Sequence, residues 1–183
     1  HRGAVIRPWH QAESIDVKNG IVTGVTVRDL RNGGNGEQHL PADVVINAGG
    51  PWAGSIAALA GVSVDITPAP GTLIAVQGRL CNMVVSRLRP PGDGDIVVPQ
   101  RNLSIIGTTQ WTTDNPDALM PRDEDVPFLM TCADQLVPGF SGQSVHAIWA
   151  AARPLAGAAG QADDGRAHSR DFAVVHHEPD GVG

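Results

Sequence analysis

At 183 residues the chain is long enough for one ordinary domain or slightly more, with a core of its own. A formal charge of −6, with Lys18 as the sole lysine, excludes a broad nucleic-acid surface, which needs clustered Lys and Arg. Twenty-two glycines and fourteen prolines predict many turns and short strands, and with no Tyr and three Phe the core must rest on Val, Ile, Leu and Ala.

Taken in order, residues 4–7 are a short apolar run that reads as a buried strand. Residues 13–18 and the alternating run 21–29 flank Asn19-Gly20, a strong hairpin signal because both positions accept positive φ. A glycine-rich turn at 31–36 leads to a third run at 37–40, which predicts an antiparallel meander. Val44-Val45-Ile46-Asn47 reads as a fully apolar strand. It is followed by a glycine turn and a helix from Trp52 to Ala60, with Pro51 in its first turn and Gly61 as its stop.

Beyond Gly61 the predicted strands are 64–67, 72–76, 83–87, 95–98 and 103–108, separated by Pro and Gly, which implies a mainly antiparallel sheet. Val126, Leu129, Met130, Ala133 and Leu136 recur at helical spacing, with Asp123, Glu124 and Asp125 complementing the helix dipole at the start. Residues 145–152 and 172–177 read as further strands, and 157–168 as a surface loop. The fold class is therefore mixed, α+β with an α/β part.

Several chemistries find no support. No apolar run approaches the roughly 20 residues that span a bilayer, and His1-Arg2-Gly3 does not open a signal peptide. Cys81 and Cys132 stand far apart without CxxC spacing, so reduced thiols are expected rather than a disulfide or zinc. His176 and His177 are adjacent and would point to opposite faces of a strand, unsuited to one metal. His146 and Trp149 read as packing residues. GxGxxG is absent: Gly92-Asp93-Gly94-Asp95-Ile96-Val97 and Gly34-Asn35-Gly36-Glu37-Gln38-His39 both fail at the final glycine. On residue chemistry alone, the strand-turn-helix at 44–60 suits a structural crossover and a cofactor contact equally.

The segment Val44-Val45-Ile46-Asn47-Ala48-Gly49-Gly50-Pro51-Trp52-Ala53 resembles the V(V/I)NAxGPWA block of the FAD-dependent glycerol-3-phosphate dehydrogenases, within the D-amino-acid-oxidase-like flavoproteins. Residues 87–99, with Arg87, Arg89, Pro91, Asp93 and Asp95-Ile96, are similar to that family's RxRxPxDxDIxVP stretch. Leu103-Ser104-Ile105-Ile106-Gly107-Thr108-Thr109 resembles xSxIGTT, and Ala151-Ala152-Arg153-Pro154-Leu155 resembles GVRPL with Ala-Ala in place of Gly-Val. Residues 169–171 and 174–178 look like the segment preceding the family's last flavin-contacting stretch. The blocks run in the family's order, and their pattern is nearest the catalytic subunit of the anaerobic, membrane-associated branch.

The resemblance implies an FAD domain whose middle piece is residues 1–60, a mainly antiparallel substrate domain at 61–155, and a return toward the FAD domain at 156–183. The family's GxGxxG and GGK segments are not present, and the chain opens without Met, so a piece of a longer protein is expected, one that alone would hold FAD poorly. It further implies FAD contacts from Ala12, Ala48, Gly49, Gly50 and Trp52.

Arg153 is implied as the catalytic residue. Its permanently charged fork would orient the substrate's C2 hydroxyl and stabilise negative charge as hydride leaves. Arg89, Arg170, Thr108 and Thr109 are the other implied substrate contacts, with Arg87 a weaker one. Gln110 stands where the family often has Asp, and the histidine that aerobic relatives carry in the strand matching 72–76 has no counterpart, so no general base is assigned. The expected reaction is oxidation of glycerol 3-phosphate to dihydroxyacetone phosphate. At the cytoplasmic face of the membrane, electrons would pass to a quinone or to a separate electron-transfer subunit. A related flavin enzyme acting on a 2-hydroxy acid or amine, and a non-catalytic fragment, are the alternatives.

Overall fold

The computed structural model describes residues 3–34, 36–90, 92–157 and 173–182. The chain divides into two units, His1–Ile66 with Asp171–Gly183, and Thr67–Arg170.

In the first unit, β1 (His10–Lys18), β2 (Ile21–Asp29) and β3 (Gly36–Pro41) form the expected antiparallel meander, in the order β1-β2-β3. Asn19 and Gly20 have φ of 52° and 78°, the left-handed pair that a two-residue hairpin needs to match strand twist, and Lys18 pairs with Ile21 across them. A short helix, α1 (Ala53–Ala58), follows a 3-10 turn at Gly50–Trp52. Its end is a Schellman motif: Gly61 has φ of 77°, its N–H reaches Ala58 O, and Val62 N–H reaches Ala57 O. The predicted stop at Gly61 is thus where the helix ends, while its start belongs to the 3-10 turn.

The apolar runs 4–7 and 44–47 are not strands, contrary to their sequence pattern. Val5, Ile6, Val44 and Ile46 are exposed, Ile46 by 86%. An apolar run becomes a strand only where a neighbour takes its backbone groups, and no described residue of this unit does so. The same holds for 173–177, where Val174 is 89% exposed; Phe172 lies outside the described residues.

The second unit is built on a sheet in the order β5-β6-β7-β4-β8, comprising β4 (Ile66–Gln77), β5 (Val85–Ser86), β6 (Ile96–Gln100), β7 (Leu103–Gly107) and β8 (Val145–Ala156). The pairs β5–β6, β6–β7 and β4–β7 are antiparallel. Two strands predicted at 64–67 and 72–76 are one. β4 runs on through Pro68 and Pro70, whose carbonyls accept from Thr113 N–H and Trp111 N–H, so a segment lacking two donors still has its acceptors satisfied. β5 is shorter than the predicted 83–87. β8 is longer than 145–152 and extends through Arg153.

α2 (Asp125–Leu136) matches its predicted register and lays Leu129 and Ala133 across the sheet. Ile74, Val76, Val97, Ile106, Leu129, Ala133 and Phe140 form the core of this unit. It is aliphatic apart from Phe140, as the composition requires. Among the described residues, no helix is long and apolar enough to cross a membrane. Most of the loop at 157–168 lies outside the described residues.

Candidate active site

A cavity of about 300 Å³ opens in the second unit where the ends of β7, β6 and β8 meet the loop after β5. It gathers Arg87, Arg89, Asp95, Thr108 and Arg153 from segments far apart in sequence. Arg153 Nη2 donates to Thr108 Oγ1, and its Nη1 donates to Gln110 Oε1 at 3.4 Å. Gln110, noted in the sequence for replacing an acid, is therefore a neighbour of the arginine fork.

Arg89 donates through Nε (3.0 Å) and Nη2 (2.5 Å) to Asp95 Oδ1. The other oxygen of Asp95 accepts the Gly92 N–H at 2.6 Å. Arg87 lies with Nε 3.6 Å from Asp95 Oδ1 and donates from Nη2 to Gln135 Oε1 at 2.5 Å. Its Nε is buried beside the Asp95 carboxylate with no hydrogen-bond partner among the described residues, so Asp95 and Gln135 together hold Arg87 in the cavity wall. Burial acts to raise the Asp95 carboxyl, but the Arg89 and Gly92 hydrogen bonds, with the charges of both arginines, outweigh it and hold the group below the usual carboxylate range. The hydrogen bonds that Arg89 donates to Asp95 in turn raise the Arg89 guanidinium. Sequence reasoning passed over Asp95. Its place within the arginine-rich motif was the available signal.

Thr109 borders the cavity, yet its hydroxyl faces the protein: it donates to Asp125 Oδ2 at 2.7 Å and accepts the Thr72 N–H at 3.1 Å. It is 4% exposed, so the expectation of a substrate contact through its hydroxyl is corrected. Thr108 is the threonine that meets the arginine. Arg170 lies outside the described residues.

The residues expected to touch FAD all fall in the first unit. Ala12 is on β1, paired with Val27 beside a bulge; Ala48, Gly49 and Gly50 form the turn before α1, and Trp52 is its N-cap, 40% exposed. Asn47 braces that turn by donating to Ala53 O (2.8 Å) and accepting from Gly49 N–H (3.1 Å). A Cβ on Gly49 would lie 2.3 Å from Ile56 Cδ1, so that glycine is required by packing. Gly50, at φ 57°, would meet nothing within 4 Å. The exposed backbone of Ala48 and the open face of Gly50 suit a large ligand laid directly against main chain, so the residues present fit an FAD contact. A separate cavity of about 190 Å³ in this unit, lined by Val44, Val45 and Asn47 among others, is bordered by none of Ala12, Ala48, Gly49, Gly50 and Trp52. Among the described residues no group of His, Cys, Asp and Glu could hold a metal ion.

Comparison with known proteins bears on both units. The family model described as FAD dependent oxidoreductase (DAO) matches residues 1–183. The chain is 32% identical over 96% of its length to an anaerobic glycerol-3-phosphate dehydrogenase subunit of Haloferax volcanii, and 33% identical over 98% to its counterpart from Escherichia coli K12. It spans 31% and 33% of those relatives' own lengths. Among solved structures, the glycerol-3-phosphate dehydrogenase of Bacillus halodurans complexed with FAD superimposes with a TM-score of 0.67, at 23% identity, over 84% of this chain and 32% of that one. Glycine oxidase from Geobacillus kaustophilus gives 0.64, also at 23% identity, over 84% and 38%. Both likenesses speak for the fold. Matched by the family model from end to end, the chain belongs to the FAD-dependent oxidoreductases of the DAO family.

Proposed function

We propose that the full-length protein oxidises glycerol 3-phosphate to dihydroxyacetone phosphate, with FAD as its two-electron cofactor and a quinone as the final acceptor at the cytoplasmic face of the inner membrane. The observation that carries the substrate is the meeting of Arg87, Arg89 and Arg153 in one cavity. A 2-hydroxy acid or amino acid needs one guanidinium for its carboxylate. A phosphate with up to two charges is better matched by several forked donors. The guanidinium groups of Arg87 and Arg89 are the positive charge offered to phosphate, and Asp95, paired with both, sets their spacing.

Arg153 holds the C2 oxygen and stabilises the negative charge that grows there as the C–H bond breaks. Its contact with Thr108 fixes the direction of the fork before substrate arrives, so little reorganisation remains for the reactive step. Ala48–Gly50 of the first unit would hold FAD, which would supply the two-electron acceptor. Support for the quinone and the membrane face is the likeness to the anaerobic glycerol-3-phosphate dehydrogenases, which covers nearly all of this chain.

The test is dye reduction by the full-length, FAD-loaded protein. Turnover with glycerol 3-phosphate is expected, with none on glycerol or glycine. Turnover confined to a 2-hydroxy acid or an amine would overturn the reading. Reduction of a soluble quinone analogue in place of the dye tests the acceptor separately.

A further inference from the structure

Asp125 opens α2 together with Asp123 and Glu124, and any of the three could complement the helix dipole. Only Asp125 is turned inward, at 8% exposure, while Asp123 and Glu124 are exposed. A buried carboxylate is costly unless hydrogen-bonded, and this one is: its Oδ2 accepts from Thr72 Oγ1 at 2.5 Å and from Thr109 Oγ1 at 2.7 Å. Every proton in the cluster has a set direction. The Thr72 N–H donates to Thr109 Oγ1 and the Arg122 N–H to Thr72 Oγ1, so both hydroxyls accept from main chain and donate to Asp125.

The cluster continues into the cavity. Thr109 O accepts the hydroxyl of Thr108 at 2.7 Å, which turns a lone pair of Thr108 Oγ1 toward Arg153 Nη2. A contiguous relay therefore runs from Asp125 through Thr109 and Thr108 to Arg153, all within one unit. We propose that Asp125 is a positioning residue for the reaction: by locking Thr109 it sets Thr108, and through Thr108 it aims the Arg153 fork. Its kinetic arm rests on the glycerol-3-phosphate reading above.

The experiment uses the full-length, FAD-loaded protein and the variants Asp125→Ala, Asp125→Asn, Thr109→Val, the Asp125→Ala/Thr109→Val double and Leu136→Ala. The last trims a side chain packed on the core from the same helix. Misaiming by about 1 Å costs on the order of a hundredfold in rate. Asp125→Ala and Thr109→Val should therefore each lower kcat about tenfold to a hundredfold, with a smaller change in the Kd for glycerol 3-phosphate measured by calorimetry, because the charge of Arg153 remains. The double variant should be no slower than the worse single one, as expected for members of one relay. Asp125→Asn keeps an acceptor where Oδ2 stood and should restore most of the turnover. Leu136→Ala should lower Tm and leave kcat per bound flavin unchanged.

A normal kcat in Asp125→Ala alongside a lowered Tm would overturn the proposal, as would losses that multiply in the double variant. Should Asp125→Ala fail to accumulate, Thr109→Val, nearly isosteric, decides the same question. If the wild-type protein does not oxidise glycerol 3-phosphate, the substrate reading alone fails. The positioning role is then settled by crystal structures, in which loss of the Arg153–Thr108 contact in Asp125→Ala or Thr109→Val supports it and an unchanged contact overturns it.

Discussion

Arg153 and Thr108 are hydrogen-bonded across a strand that belongs to neither. Arg153 lies on β8, Thr108 follows β7, and β4 runs between them in the sheet. The reach is possible because β4 carries Gly71 at this level. A Cβ there would stand 2.1 Å from Thr109 O and 2.7 Å from Thr108 Oγ1, the oxygen that Arg153 uses. Gly71→Ala should therefore destabilise the fold by about 1–3 kcal/mol, the usual range for overpacking, and should also depress turnover in the folded fraction. Equilibrium denaturation alongside kcat per bound flavin measures both. Wild-type values in both assays would mean that the strand shifts without harm to the site.

Arg153→Lys preserves charge and removes the fork. Nη1 and Nη2 reach different partners, Gln110 and Thr108, and a single ammonium cannot hold both directions. Loss of one preorganised donor of this kind costs about 10²–10³ in kcat. Steady-state kinetics with glycerol 3-phosphate should show that loss in kcat more than in KM, and an unaffected rate would remove Arg153 from the mechanism.

The carboxyl of Asp95 lies below its ordinary value in the folded protein, so the pair it forms with Arg89 has a defined pH window. A group depressed by folding contributes its full stabilisation above its unfolded value, about 3.9 for Asp, and loses it as pH falls through the folded value. Asp95→Asn should lower Tm by a constant amount from pH 5 to 8. Below about pH 4 the difference from wild type should shrink, since the unfolded chain's carboxyl then takes up a proton, and it should vanish once pH has fallen through the folded value. Arg89, Arg87 and the Gly92 N–H are the groups facing it. A difference that grows on acidification would contradict the assignment.

Asn47 ties Gly49 and Ala53 into one rigid turn. Asn47→Ala removes both bonds at a cost comparable to losing a helix cap, about 0.5–2 kcal/mol. The exposed backbone at Ala48–Gly50 would no longer be held for a cofactor. The Kd for FAD, read from visible absorbance during reconstitution of the full-length apoprotein, should rise by roughly two- to thirtyfold, the equivalent of that cost. An unchanged Kd would show that these residues do not carry the cofactor.

What the amino-acid order settles unaided is local. Asn19-Gly20 determines the β1–β2 hairpin because Gly, lacking a Cβ, and Asn, with its short polar side chain, both accept the left-handed φ that the turn needs. Gly61 ends α1 for the same reason, and the spacing of Leu129 and Ala133 sets which face of α2 is buried. The ordered motifs carried the family and pointed to Arg153. Tertiary structure decided everything that depends on a distant partner. Residues 44–47 have the composition of a strand and are exposed, since a strand needs a neighbour to take its hydrogen bonds. Two threonines that look alike in sequence divide their roles: Thr109 turns to Asp125 and Thr108 to Arg153. Thr72 and Asp125 stand 53 residues apart, and Thr108 and Arg153 stand 45 apart. At such separations the direction of a hydroxyl is set by the packing of the sheet against its helix, not by any residue beside it in the chain.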